Sequence, residues 1–592
     1  MLHTSECSLQ SHILGLFSRS SGNEGSASID GSSSVESRYA ALRERLLGAL
    51  ASRRGGRWAD NWMGSEPEYM APSFQDPSSP DLVPPALDLQ DLNTYTEFLC
   101  KTVIPGSPDL ASPLFMGHMT GPLPYFASLI SELIVLLNQN LVKVEASPAL
   151  TSLELETIAS LHQLVYRQSP RYYRESLADA ESSLGLVTLG GTLGNLTALW
   201  IARNLCFGPS RDFPGVEAAG VARALDHYGC GNAVIVGSKL MHYSIAKAAS
   251  LLGFGSENAR LLPVDSANRL DMVALQDCIS DCAARNTRIV AVVGVAGTTE
   301  CGSIDPLEEI AEIAAKHQIF FHVDGAWGGP LLFSARQRSR LAGIEKADSV
   351  VLDGHKQMYL PIAVSALLLR DPHAAKVIEK HSRYMLQEGS GDLGRRSLEG
   401  SRNGAALFFH AGLNLIGEQG YAFLVEENLR KAQIMADLIR SRPEFEILVA
   451  PETSILLFRG LPAALRHRKG HSFSVAENAD INCFNERLQK RQSRERRTFV
   501  SRTTLDLLPI DVPSIAARIP LVALRAVITN PLLEEHHMHT VLDDLAHIMV
   551  SLENEKEENQ KEENEQRKET AIYAQSIESH NGSTAAMGRS GA

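Results

Sequence analysis

Five places in the 592-residue chain set a reactive or turn-forming group just after a short apolar run. Asp324 follows Ile319 to Val323 (IFFHV), and Lys356 stands 32 residues further on, after Ser349 to His355 (SVVLDGH). Gly297-Thr298-Thr299 follows Arg288 to Ala296 (RIVAVVGVA), and His242 follows Ala233 to Met241 (AVIVGSKLM). Gly190-Gly191-Thr192 opens the helical pattern Leu193 to Asn204. Singly, each has an ordinary reading: a helix cap, a surface lysine, a tight turn. Together they are what a phosphorylated pyridine aldehyde requires. A lysine amine can form a Schiff base with the aldehyde, and an aspartate can keep the ring nitrogen protonated so that the ring accepts electrons. A flat imidazole can stack on the ring. A Gly-Thr turn at a helix N-terminus offers backbone N–H groups to the phosphate.

These residues need elements that bring them together. The runs at Ala233–Gly237, Arg288–Ala296, Ile319–Val323, Ser349–Leu352 and Ala363–Leu369 are continuously apolar, several are rich in β-branched residues, and helical patterns such as Pro306–His317 lie between some of them. That alternation predicts an α/β domain with a mostly parallel sheet covered on both faces. Ligands of such sheets gather at the carboxyl ends of the strands, where the five places fall.

Composition narrows the class. A net charge of −13 disfavours a nucleic-acid partner, and 44% hydrophobic with 21% charged residues is ordinary for a globular protein. Eight scattered cysteines without a CxxC pair are too sparse for a disulfide scaffold. Cys278 and Cys282 could share a helix face, but no second ligand pair accompanies them, so no metal site is expected. No run reaches the length of a membrane span, since Ser131 and Glu132 interrupt Leu129–Leu137, and no signal or transit segment is visible. A cytoplasmic protein is the expectation. Residues 1 to about 35 are rich in Ser and Gly, Ser37–Ser52 has a basic helical pattern, Pro67–Pro85 reads as a linker or wrapping arm, and Glu553–Glu569 is nearly all charged and amide residues.

With those residues in hand the chain resembles the group II decarboxylases that depend on pyridoxal 5′-phosphate (PLP), which act on glutamate, aspartate, cysteine sulfinate and aromatic amino acids. The matching pieces run in order from about Phe98 to His547: Ala146-Ser147-Pro148, Gly190–Leu199 (GGTLGNLTAL), Met241-His242, Gly297–Asp305 (GTTECGSID), His322–Trp327 (HVDGAW), Ala347-Asp348-Ser349 and His355-Lys356. Gly117–Thr120 (GHMT), Asn138–Lys143 (NQNLVK), Asp353–Gln357 (DGHKQ) and Leu398–Arg402 (LEGSR) are similar to a bacterial branch, the aspartate 1-decarboxylases of the PanP type. The chain departs from the family pattern at Leu193 in the phosphate turn, at Asp353 where an asparagine is usual, and at Ala363 where a glycine is frequent.

The resemblance implies a fold-type I enzyme: a variable, partly disordered segment 1–95, a dimerisation and substrate-pocket segment 96–160, a large PLP-binding domain 161–442, a small C-terminal α/β domain 443–552 and a charged tail 553–592. It implies a homodimer with the active site at the subunit interface. It makes Lys356 the cofactor lysine, Asp324 the partner of the ring nitrogen and His242 the stacking imidazole. Gly191, Thr192, Thr299, Ala326, Ser349 and His355 would complete the cofactor site. Tyr384, 28 residues after Lys356, would supply the proton to Cα. His118 and Thr120 would line the substrate pocket, with Arg402 holding a carboxylate. The reaction expected is decarboxylation of an acidic amino acid, L-aspartate to β-alanine first, with L-glutamate or cysteine sulfinate as alternatives. Another fold-type I reaction, such as transamination or carbon–sulfur lysis, would use the same Lys, Asp and His. A non-catalytic PLP-binding descendant is the third reading.

Overall fold

The computed structural model describes residues 92–382, 386, 389–471, 473–505, 520–556 and 558, with 9–10, 13–14, 44–45 and 48. The basic pattern at 37–52, the Pro67–Pro85 stretch and Tyr384 lie largely or wholly outside them.

Seven strands make the first sheet: β1 (Gly185–Thr188), β2 (Asn232–Ser238), β3 (Ala259–Leu262), β4 (Thr287–Val295), β5 (Phe320–Asp324), β6 (Ser349–Asp353) and β7 (Ser365–Leu369). Their order is β1-β7-β6-β5-β4-β2-β3. Pairings β2–β3, β2–β4, β4–β5 and β5–β6 are parallel, while β7 runs antiparallel to both β1 and β6. The apolar runs are continuous because both faces are buried. On β2, Val234 and Val236 enter one core while Ala233 and Ile235 enter another, and on β4 Val292 opposes Ala291 and Val293 in the same way.

Helices supply the covering layers. After α1 (Phe126–Leu137), helix α2 (Pro148–Tyr166) buries Ile158, Leu161 and Val165 in the first core. Helix α3 (Gly191–Cys206) and α4 (Ser244–Leu251) put Leu196, Leu199, Ile245 and Ala248 into the second. Helix α5 (Leu307–His317) returns Leu307, Ile310 and Ala311 to the first, and no described helix is long and apolar enough to cross a membrane.

A long helix, α6 (Gly417–Ser441), leads to a second sheet. Strands β8 (Phe445–Val449), β9 (Ile455–Gly460), β10 (Ser501–Leu505) and β11 (Leu521–Val527) pair antiparallel in the order β10-β11-β9-β8. Helix α7 (Val475–Glu495) and a helix over 535–556 cover it. The core beneath them does not begin at 443. Ala432, Met435 and Ile439 of α6 belong to it, and so does Met116. Segment 115–117 is stitched in by backbone, Met116 N–H donating to Phe499 O (2.8 Å) and Val527 N–H to Met116 O (2.8 Å).

Candidate active site

A cavity of about 310 Å³ lies at the carboxyl ends of β4, β5 and β6, against the first turn of α3. Gly191, Thr192, His242, Thr299, Asp324, Ala326, His355 and Lys356 all line it. Gly190, at φ +109, turns β1 into α3, and a side chain there would meet nothing, so the turn faces open space. The first N–H groups of α3 are available there to an anion.

The cavity floor is a connected hydrogen-bond network. His322 and Asp324 project from the same face of β5, two residues apart. Asn195, one turn into α3, donates through Nδ2 to Asp324 Oδ2 (2.9 Å) and to Ser244 Oγ (3.0 Å). Since a carboxylate only accepts, Asn195 Oδ1 must face His322, whose Nε2 donates to it (2.9 Å). That fixes the His322 tautomer, so the Ser349 hydroxyl donates to Nδ1 (2.8 Å). Burial drives the His322 pKa down to about 4, and the ring is neutral. The second oxygen of Asp324 accepts from Ala326 N–H (3.2 Å). His242 is tied in through Ser244, whose hydroxyl lies 2.8 Å from its Nδ1 and whose N–H donates to the same atom (3.3 Å). Burial lowers the pKa of His242 as well, favouring a neutral ring.

Lys356 sits on the loop between β6 and β7. Its Nζ is 3.0 Å from Asp353 Oδ2, and Gln357 Nε2 anchors the loop by donating to Trp327 O (2.7 Å). Ala363 lies in the left-handed region at φ +69, where a glycine would rest without strain. An L side chain there costs about 1–2 kcal/mol.

The other expected residues fall elsewhere. Ser349 is fully buried behind His322 and does not line the cavity. Arg402 is also buried away from it. Its Nη2 is 2.8 Å from Glu154 and its Nη1 donates to Val187 O (3.1 Å), which places the guanidinium at the junction of α2 and β1, while its Nε and Nη2 have no hydrogen-bond partner beyond that ion pair. Thr120 lines an adjoining cavity of about 300 Å³ that shares His355 and Ile362 with the first. His118, two residues before it, keeps its outer edge open to solvent while its ring stacks on Phe115 with centroids 5.8 Å apart. Burial and the nearby Arg525 charge lower its pKa.

Asn195, Ser244 and Arg525 were not among the expected site residues. Asn195 lies one helical turn after Gly191 and Ser244 two residues after His242, so their positions were signals in themselves. Arg525 interrupts the buried strand Leu521–Val527 (LVALRAV), and a charge in such a strand must have partners. Its Nε donates to Thr299 O (2.8 Å) and its Nη1 to Gly117 O (3.3 Å), joining the cavity wall to the segment before Thr120. Burial lowers its pKa to about 10, which leaves it charged at neutral pH. Its Nη2, Thr120 Oγ1 and Glu300 Oε2 are buried without a hydrogen-bond partner.

The family model for the pyridoxal-dependent decarboxylase conserved domain matches residues 89–460, more than half of the chain. The chain belongs to the pyridoxal-dependent decarboxylase family. It is 38% identical over 467 residues to an aspartate 1-decarboxylase of Aliivibrio fischeri, covering 78% of this chain and 84% of that protein. It is 33% identical to an L-2,4-diaminobutyrate decarboxylase of Rhizobium meliloti, over 59% of this chain and 66% of that one. In fold it is similar to mouse CSAD, with TM-score 0.70 at 24% identity, covering 86% of this chain and 98% of the other.

The decarboxylase is thus a carboxy-lyase of fold type I that uses PLP, and its cavity fits that group. An aromatic nitrogen cation can meet the buried Asp324 carboxylate, held from behind by Asn195 and Ala326. A phosphate can meet the N-terminus of α3 at Gly191 and Thr192, and the Lys356 amine opens on the same space.

Proposed function

We propose that this decarboxylase converts L-aspartate to β-alanine and carbon dioxide at a PLP-bearing Lys356. The reading is carried by the 38% identity to an aspartate 1-decarboxylase along most of both chains. Arg525 Nη2, buried near Thr299 without a hydrogen-bond partner, suits a substrate carboxylate, either the α-carboxylate or that of an acidic side chain. PLP supplies a protonated ring that takes up the electrons of the breaking Cα–carboxylate bond. Asp324 holds the proton on the ring nitrogen, and the Asn195–His322–Ser349 chain keeps its carboxylate from turning away. His242 would offer a neutral imidazole to the face of the ring. The α3 N-terminus would take the phosphate, and Arg525 would orient the amino acid through a carboxylate. Tyr384 is the proposed donor of the proton to Cα.

We assign the decarboxylase a second copy of itself as partner. Val135 and Leu136 on α1 are 74% and 76% exposed, and Leu129 is 57% exposed, an apolar face that fits an interface between copies. Ile362, on the wall of both cavities, is 70% exposed and would be covered in the same way. The location proposed is the cytoplasm, which agrees with the free thiols of Cys278 and Cys282.

One observation favours a second substrate. Glu300, next to Thr299, has an unpartnered buried oxygen, and burial raises its pKa. A cationic side chain, as in L-2,4-diaminobutyrate, would satisfy it. Carbon dioxide release from aspartate, glutamate, cysteine sulfinate, 2,4-diaminobutyrate, tyrosine and dopa, each offered to PLP-saturated protein, tests the reading. Aspartate should give the highest kcat/KM. One methylene is worth only about 1–3 kcal/mol, so glutamate should be a measurable second. A preference for diaminobutyrate would move recognition to Glu300, and a preference for an aromatic amino acid would overturn the acidic-substrate assignment.

A further inference from the structure

We propose that Asp353 is a positioning residue that holds Lys356 as an ammonium ion pair whenever Nζ is not bonded to the cofactor. The inference rests on the reading of Lys356 as the cofactor lysine. Asp353 ends β6 and is 2% exposed. Its Oδ2 lies 3.0 Å from Lys356 Nζ and 3.5 Å from His355 Nε2. Its Oδ1 accepts from the hydroxyl of Ser365, the residue opposite it on β7. The carboxylate is wedged under the first turn of α3, where a Cβ on Gly191 would come within 2.8 Å of Oδ1. A side chain at Gly191 would therefore press on Asp353, whereas the turn itself asks for glycine only at Gly190. A carboxylate in that place is favoured by the free N–H groups of α3, and an asparagine, usual in the resembling family, would bring no charge to it.

The placement has a chemical consequence. The lysine–cofactor bond forms when a neutral Nζ attacks the aldehyde carbon. C=N forms, and the aldehyde oxygen leaves as water with the two amine protons. An ammonium cannot make that attack, so a carboxylate at 3.0 Å restrains Lys356 until the pair is broken. Lys356 returns to the same partner each time substrate displaces it, which keeps the ammonium in a defined place while the substrate reacts.

The test is acetylation of the full-length protein stripped of cofactor, with an N-hydroxysuccinimide acetate, followed by mass spectrometry of the Lys356 peptide. Exposed Lys316 on α5 is the internal reference. Asp353→Asn should acetylate at Lys356 about tenfold faster relative to Lys316, the size of one charge-assisted hydrogen bond lost. Its rate of gaining visible absorbance on addition of PLP should rise with it. Ser365→Ala, which removes the anchor and keeps the charge, should change the acetylation ratio less than twofold. Equal ratios for Asp353→Asn and the parent protein overturn the proposal, and so does an equal rise in both variants, which would mark a packing effect. Acetylation is read without cofactor, so it judges the ion pair alone. Mapping the borohydride-fixed PLP adduct separately judges whether Lys356 is the cofactor lysine.

Discussion

The two sides of the cavity are built differently. On the sheet side Asp324, Asn195, His322, Ser349, Ser244 and His242 form a network in which every named contact closes on another residue of the same chain. Toward the second sheet, around Thr299 and the adjoining cavity, Arg525 Nη2, Thr120 Oγ1 and Glu300 Oε2 are buried without hydrogen-bond partners, and Ile362 and Tyr243 on the cavity wall stand exposed. The contrast separates two tasks. A cofactor that stays bound can be met by a finished, rigid surface, whereas groups that must exchange one substrate for another have to be left unsatisfied until it arrives.

The largest effect should come from breaking the finished side. Asp324→Ala should lower kcat by about a hundredfold or more, because nothing else in the network can hold a proton on the ring nitrogen. PLP should still load, seen as visible absorbance at saturating cofactor. A folded variant with near-normal kcat would show that the network is only structural.

The two arginines sharpen the comparison. Arg525→Met should lower kcat/KM on the order of 30- to 100-fold, mainly through KM, when measured with the preferred substrate. Arg402→Met should instead destabilise the protein by about 3–5 kcal/mol in a denaturant titration, since Glu154 is left buried and unpaired. Its folded fraction should keep KM within about threefold of the parent, on the same premise that the pair is structural. If the roles are reversed, the division between the two sides is drawn in the wrong place.

The smallest effect concerns acid. Burial holds His322 at about 4 in the folded protein against an ordinary value of 6.5. Between those values the unfolded chain binds a proton that the folded chain does not. The stability from a neutral His322 is therefore complete above 6.5 and is lost as pH falls toward 4. The Tm of the parent protein should fall more steeply over that window than that of His322→Gln, which has nothing to titrate there. Parallel curves would mean that the network does not depend on the neutral ring.

The same contrast explains what the sequence made legible. Strands buried on both faces are unbroken apolar runs, so β2, β4, β5, β6 and β7 stood out, and the cofactor residues follow them directly. β1 and β3 are only four residues each and lack that signal. Arg525 was hidden because it reaches Thr299, on the cavity wall, from the second sheet, 226 residues away. Arg402 was chosen on its motif and its charge. Its ion-pair partner is Glu154, which α2 brings to it across the chain, and no local pattern carries that information.

The stitching of residues 115–117 between Phe499 and Val527 bears on how such a chain can be cut or recombined. A C-terminal fragment begun at 443 would lack Met116 and the α6 residues Ala432, Met435 and Ile439, so its core would open onto solvent and its strands would present bare edges. An exchange that kept this half functional would have to carry the Gly117–Thr120 stretch along with it. A gene fusion at the apparent boundary would thus separate pieces that pack as one.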